Sequence, residues 1–189
     1  MSHTNLRFSI DELRKHTTAT QRDPQDRRVT NAALNAYEEL SGKPAFTDQD
    51  LEPIIHAAFH LHRGPMHIGI ELLAALAEHN EVAQTIWKQK AQSPKAHERR
   101  IAVACMADER IPRNIALEIV RVALTDRSVA VREFAASSAY LRGLAELRSS
   151  LRARIREEQE ERVIQGLQLA IDGKLPPRAV GNLTSSQTG

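Results

Sequence analysis

The stretch Ala123-Leu124-Thr125-Asp126-Arg127-Ser128-Val129-Ala130-Val131-Arg132-Glu133-Phe134-Ala135-Ala136 decides how this chain is read. One apolar run ends at Leu124, a polar Thr-Asp-Arg-Ser link follows, and a second run opens with apolar residues at helical spacing. A link this short leaves two helices side by side and antiparallel.

The signature repeats. Arg132-Glu133-Phe134-Ala135-Ala136 aligns with Arg99-Arg100-Ile101-Ala102-Val103, 33 residues earlier, and that with Met66-His67-Ile68-Gly69-Ile70, another 33 back. Moving forward 30 gives Arg162-Val163-Ile164-Gln165-Gly166. The large apolar position is Ile68, Ile101, Phe134 and Ile164, and it is expected to fill the gap inside each hairpin. The small residue after it (Gly69, Ala102, Ala135) lets a neighbouring helix come close. A single hairpin cannot bury its apolar stripe, so stacked copies must share one core, and Gln165 suits the polar outer face of a terminal copy.

Outward from this repeat, helices are expected at about 50–62, 66–79, 81–92, 95–108, 112–125, 129–141, 144–158 and 160–172. Pro53, Pro65, Pro94 and Pro112 are read as first-turn prolines. Ser9-Ile10-Asp11-Glu12 matches a capping box, giving a short first helix to about His16. Thr17 to Asp26 reads as a loop. A second helix runs to Ser41, where Gly42 supplies a left-handed cap and Pro44 prevents continuation. The expected organisation is therefore N-terminal helices over 1–46, capping the stack through Val29, Ala33, Leu34, Tyr37 and Leu40; a repeat domain of about four hairpins over 47–175; and a disordered Pro/Ser/Thr/Gly-rich tail over 176–189.

The quoted stretch resembles the turn and second helix of a HEAT repeat, and the resemblance covers about residues 48–172. It implies an all-α fold, a right-handed α-α superhelix of stacked antiparallel hairpins, HEAT-like or ARM-like. In that family a turn aspartate and a helix arginine form a ladder between repeats. Asp126 and Arg132 match that pair, and Arg99 and Arg162 keep the arginine. The resemblance further implies a scaffold or adaptor that binds protein partners.

Composition bounds the rest. The 189 residues carry a net charge of +2 and one cysteine, Cys105, which excludes an intramolecular disulfide and suits a reducing cytoplasm. No apolar run approaches the ~20 residues that cross a bilayer, and charged residues interrupt the N-terminus as a signal peptide would not allow. The charge is uneven: residues 1–94 hold 10 basic and 12 acidic side chains, residues 95–189 hold 16 and 12.

Three groups of residues merit weighing as sites. His56 and His60 stand four apart, one helix face presenting two imidazoles as a zinc pair would, with His62, His67 and Glu71 following. Against this, histidines near a helix C-terminus are favourable without metal, and neither a metal nor a cofactor is expected. Arg148, Arg152 and Arg156 recur every four residues beside the stripe Leu144, Leu147, Leu151 and Ile155. They could meet phosphates or an acidic partner, with Arg113, Arg121 and Arg142 as possible neighbours, or be a solvated face that Glu157, Glu158, Glu160 and Glu161 partly neutralise. Trp87, Tyr37 and Tyr140 read as packing anchors and Cys105 as a buried small hydrophobe.

No phosphate loop, nucleophile elbow, CxxC pair or HExxH motif is present. The expectation is a non-catalytic protein-interaction module. The alternatives are nucleic-acid binding through the arginine-rich half and, by analogy of fold alone, a HEAT-like lyase-type enzyme.

Overall fold

The computed structural model describes residues 6–41, 43 and 45–173. Gly42, Pro44 and the 176–189 tail, each given a role above, lie outside the described residues. Among those residues the chain is all-α: ten α-helices, one short 3-10 turn and no strand.

The helices are α1 (Ile10–Thr20), α2 (Pro24–Ser41), α3 (Asp48–Ala58), α4 (Arg63–Ala77), α5 (Glu81–Ala91), α6 (Ala96–Cys105), α7 (Arg113–Ala123), α8 (Val129–Leu141), α9 (Arg148–Ile155) and α10 (Glu161–Asp172). The Ser9 box forms as expected: the Ser9 hydroxyl accepts from the Glu12 amide and the Glu12 carboxylate accepts from the Ser9 amide at 2.8 Å. α1 nevertheless runs on to Thr20, through residues read as a loop. Thr17, Thr18 and Thr20 each donate a hydroxyl hydrogen bond to the carbonyl four residues back, so the polar run satisfies itself inside a helix. Pro53 likewise departs from its reading and lies inside α3.

α8 ends in a Schellman motif. The Leu144 amide donates to the Ala139 carbonyl at 2.9 Å and Gly143 to Tyr140 at 3.0 Å. Gly143 sits at φ 59°, a conformation other residues resist.

Consecutive helices pack in pairs: α3 with α4, α5 with α6, α7 with α8, α9 with α10. The second helices α6, α8 and α10 pack on one another in turn, whereas α4 and α6 make at most marginal contact. α2 lies on both α3 and α4, with Ala33, Leu34, Tyr37 and Leu40 buried there and Val29 partly so. All of this shares one apolar core, in which Trp87 is fully buried and meets the edge of Phe59.

The small repeat position carries the closest approach. Gly69 faces the backbone of α3, and a Cβ there would stand 2.1 Å from the Ala58 nitrogen. Ala102 and Ala135 are wholly buried. The large position is less uniform: Ile68 and Ile101 are buried, Ile164 is half-buried and Phe134 is 39% exposed. Phe134 therefore does not fill its hairpin. Val131, Ala135 and Ala136 form the buried stripe of α8, and Phe134 turns to its open side.

Candidate functional site

A cleft of about 570 Å³ opens where α2, the α3–α4 turn and the α5–α6 turn meet. Asp26, in the first turn of α2, projects toward His60 and His62, which flank Leu61 between α3 and α4. The Asp26 Oδ1 lies 2.8 Å from the His62 Nδ1 and 4.0 Å from the His60 Nδ1. The His62 amide donates to the His60 Nδ1 at 3.2 Å. Asp26 and His60 are largely buried, while the His62 ring is 60% exposed. The His56 ring, one turn earlier, has its centroid 5.7 Å from that of His60. His67 and Glu71 lie elsewhere: His67 lines a groove with Phe8 and Ile70, and Glu71 binds Arg110 through both oxygens.

The far wall of the cleft carries Lys90, Lys95 and Glu98. Burial pushes the Glu98 carboxyl up. Hydrogen bonds from Ser93, Lys90 and Lys95 outweigh it, holding the group down to about 2. Both lysines share this one carboxylate. Lys90 also stands 5.0 Å above the Phe59 ring, a cation–π contact.

The ladder residues form two equivalent rungs. Arg99 grips Asp126 with Nε and Nη2 at 2.7 and 2.9 Å, while its Nη1 donates to the Ser93 carbonyl at 2.8 Å. Arg132 grips Glu158 in the same way at 2.7 and 2.9 Å, and its Nη1 donates to the Asp126 carbonyl at 2.9 Å. Each arginine thus closes its own turn and holds the carboxylate of the next. Each carboxylate in turn accepts an amide two residues on, Ser128 for Asp126 and Glu160 for Glu158.

Glu158 stands where a turn aspartate stands one repeat earlier, a role its sequence did not announce because the side chain is longer and the repeat spacing slips. Val163 and Leu167 take the buried places of Val131 and Ala135, which displaces the last copy by two positions from the sequence alignment. Arg162 consequently joins no rung: it is 60% exposed and faces Glu133 at 3.4 Å.

Arg148 and Arg152 on α9 and Arg156 at its C-cap are exposed. Of their three supposed neighbours, Arg121 is exposed and the other two are engaged. Arg113 is paired with Glu146, and Arg142 turns inward to the Met106, Asp108 and Ile111 carbonyls. Burial lowers the pKa of Arg142, as that orientation requires. Arg110 locks Glu71 and Asp108 together, tying α4 to the α6–α7 turn.

Finally, Phe134 and Leu141 are exposed seven residues apart on α8, two turns along one face. Cys105 is buried, and burial raises its thiol to about 12. It is no nucleophile at neutral pH.

The chain matches no protein-family model and no curated protein sequence. No helix among the described residues is long and apolar enough to cross a membrane.

Proposed function

We infer that this chain is a protein-interaction module, a right-handed superhelix of HEAT-like hairpins whose first copy is capped by α1 and α2. The observation that carries the reading is the exposure of Phe134 and Leu141 on one face of α8, the helix packed between α6 and α10. Contiguous exposed apolar surface favours an interaction site, and Phe134 and Leu141 supply an apolar strip along α8. The charges beside them are matched: Arg132 is held by Glu158 and Arg162 faces Glu133. A phosphate backbone would find no uncommitted cation in those two arginines, whereas an apolar protein segment would gain from the burial. A lone reduced thiol suits a cytoplasmic setting.

The exposed arginines of α9 favour a second reading, nucleic-acid binding. Its signature is affinity that falls with salt by roughly 0.9 log unit per log unit of salt for each phosphate neutralised.

The two are separated by capture with the full chain and its variants. A protein retained by the wild type and by Arg148→Gln/Arg152→Gln/Arg156→Gln, but lost with Phe134→Asp and with Leu141→Asp, supports the interaction reading. Capture indifferent to both aspartate variants sinks it. A salt-sensitive duplex mobility shift abolished by the triple glutamine variant puts nucleic acid in its place.

A further inference from the structure

We propose that Asp26, His60 and His62 bind a divalent transition metal, zinc being the best match, and that the ion clamps the start of α2 to the α3–α4 turn. The inference stands on the cleft alone and is independent of the interaction surface on α8.

One donor atom from each of the three residues lies within 4.8 Å of the others. A metal–nitrogen bond of about 2.0–2.1 Å in tetrahedral geometry spaces its ligand atoms by about 3.3 Å. The observed 2.8 Å and 4.0 Å separations from the Asp26 oxygen bracket that value, so small side-chain rotations close the site. The His60 Nδ1 meets the His62 amide and the His62 Nδ1 meets Asp26, and a bound ion would replace both contacts. Asp26 and His60 are held by burial, with 14% and 15% of their side chains exposed. The His62 ring is 60% exposed, so solvent reaches the cluster and could complete the coordination of an ion.

Two imidazoles and one carboxylate suit zinc, copper or nickel better than magnesium or calcium, which prefer all-oxygen shells. The lysines across the cleft do not make it cationic, since Asp26, Glu52 and Glu98 line it against Lys90 and Lys95. The clamp joins parts of the chain distant in sequence. A bound ion therefore adds a cross-link between α2 and the first hairpin, and binding to the folded state alone raises its stability.

The test is zinc titration of the metal-stripped full chain by calorimetry. One zinc per chain is expected, with affinity lowered by roughly 100-fold in His62→Ala and in His60→Ala. Affinity should be unchanged in His79→Ala, an exposed histidine outside the cluster. His62 is exposed enough for its alanine variant to fold, and Asp26→Asn keeps the shape of the buried carboxylate should His60→Ala prove unstable. Zinc should raise the melting temperature of the wild type and not that of His62→Ala. Less than stoichiometric binding by the folded wild type, affinity retained in both His62→Ala and Asp26→Asn, or binding without a thermal shift would overturn the proposal.

Discussion

The guanidinium of Arg132 spans two repeats: Nη1 donates to the Asp126 carbonyl of its own turn at 2.9 Å, while Nε and Nη2 hold both oxygens of Glu158 in the next. The Arg132 fork does most to keep the Glu158 carboxyl down to about 2, against a smaller upward push from burial. Arg154 adds a second contact at 3.0 Å. Removing Arg132 strands a carboxylate that is only 1% exposed.

Arg132→Ala should therefore destabilise the fold by about 2–3 kcal/mol, somewhat less than the loss of a sole buried partner because Arg154 remains. The double variant Arg132→Met/Glu158→Leu should cost less than the single one, since no buried carboxylate is left over and Arg154 still faces Glu157. Urea unfolding of the three proteins checks this. A double variant worse than Arg132→Ala would contradict it.

Acid should unfold the protein through the same carboxylates. Glu98 and Glu158 have native pKa values of about 2, against about 4.3 in an unfolded chain. The unfolded state therefore takes up protons first. The stabilisation is complete above about pH 4.3 and drains away as pH falls toward about 2. Melting temperatures should drop steeply across that window, and Glu158→Gln should flatten part of the slope. An equal slope in the variant would show that Glu158 contributes none of it.

Gly69→Ala should destabilise by about 3 kcal/mol despite the better helix propensity of alanine. Its Cβ would meet the Ala58 nitrogen at 2.1 Å and the Ala57 carbonyl carbon at 2.5 Å, backbone atoms that yield only if α3 shifts. Gly166→Ala meets only the Ala136 Cβ, at 3.1 Å, and should be close to neutral. A stabilised Gly69→Ala protein would show that α3 and α4 can separate.

Ile101 and Phe134 align in sequence yet differ in burial, 7% against 39% exposed. Ile101→Ala should cost about 2–4 kcal/mol and Phe134→Ala less than about 1 kcal/mol. Equal losses by denaturant titration would mean that Phe134 packs inside the hairpin after all.

Cys105 should resist alkylation in the native state. Burial pushes its thiol up to about 12, so labelling at neutral pH should follow global unfolding. Rapid modification of the folded chain would disprove that placement.

Helicity, the short links between helices, the small residues Gly69, Ala102 and Ala135, and the cap at Ser9 were all determined by the sequence alone. Each rests on contacts within a few residues, where spacing and side-chain size state the answer. Tertiary structure decided what depends on distant partners. It brought Asp26 to His60 and His62, substituted Glu158 for a turn aspartate, turned Arg142 inward and Phe134 outward, and set Arg162 aside from the ladder. None of these follows from periodicity, because the energy that selects them comes from groups that meet only after the helices have packed.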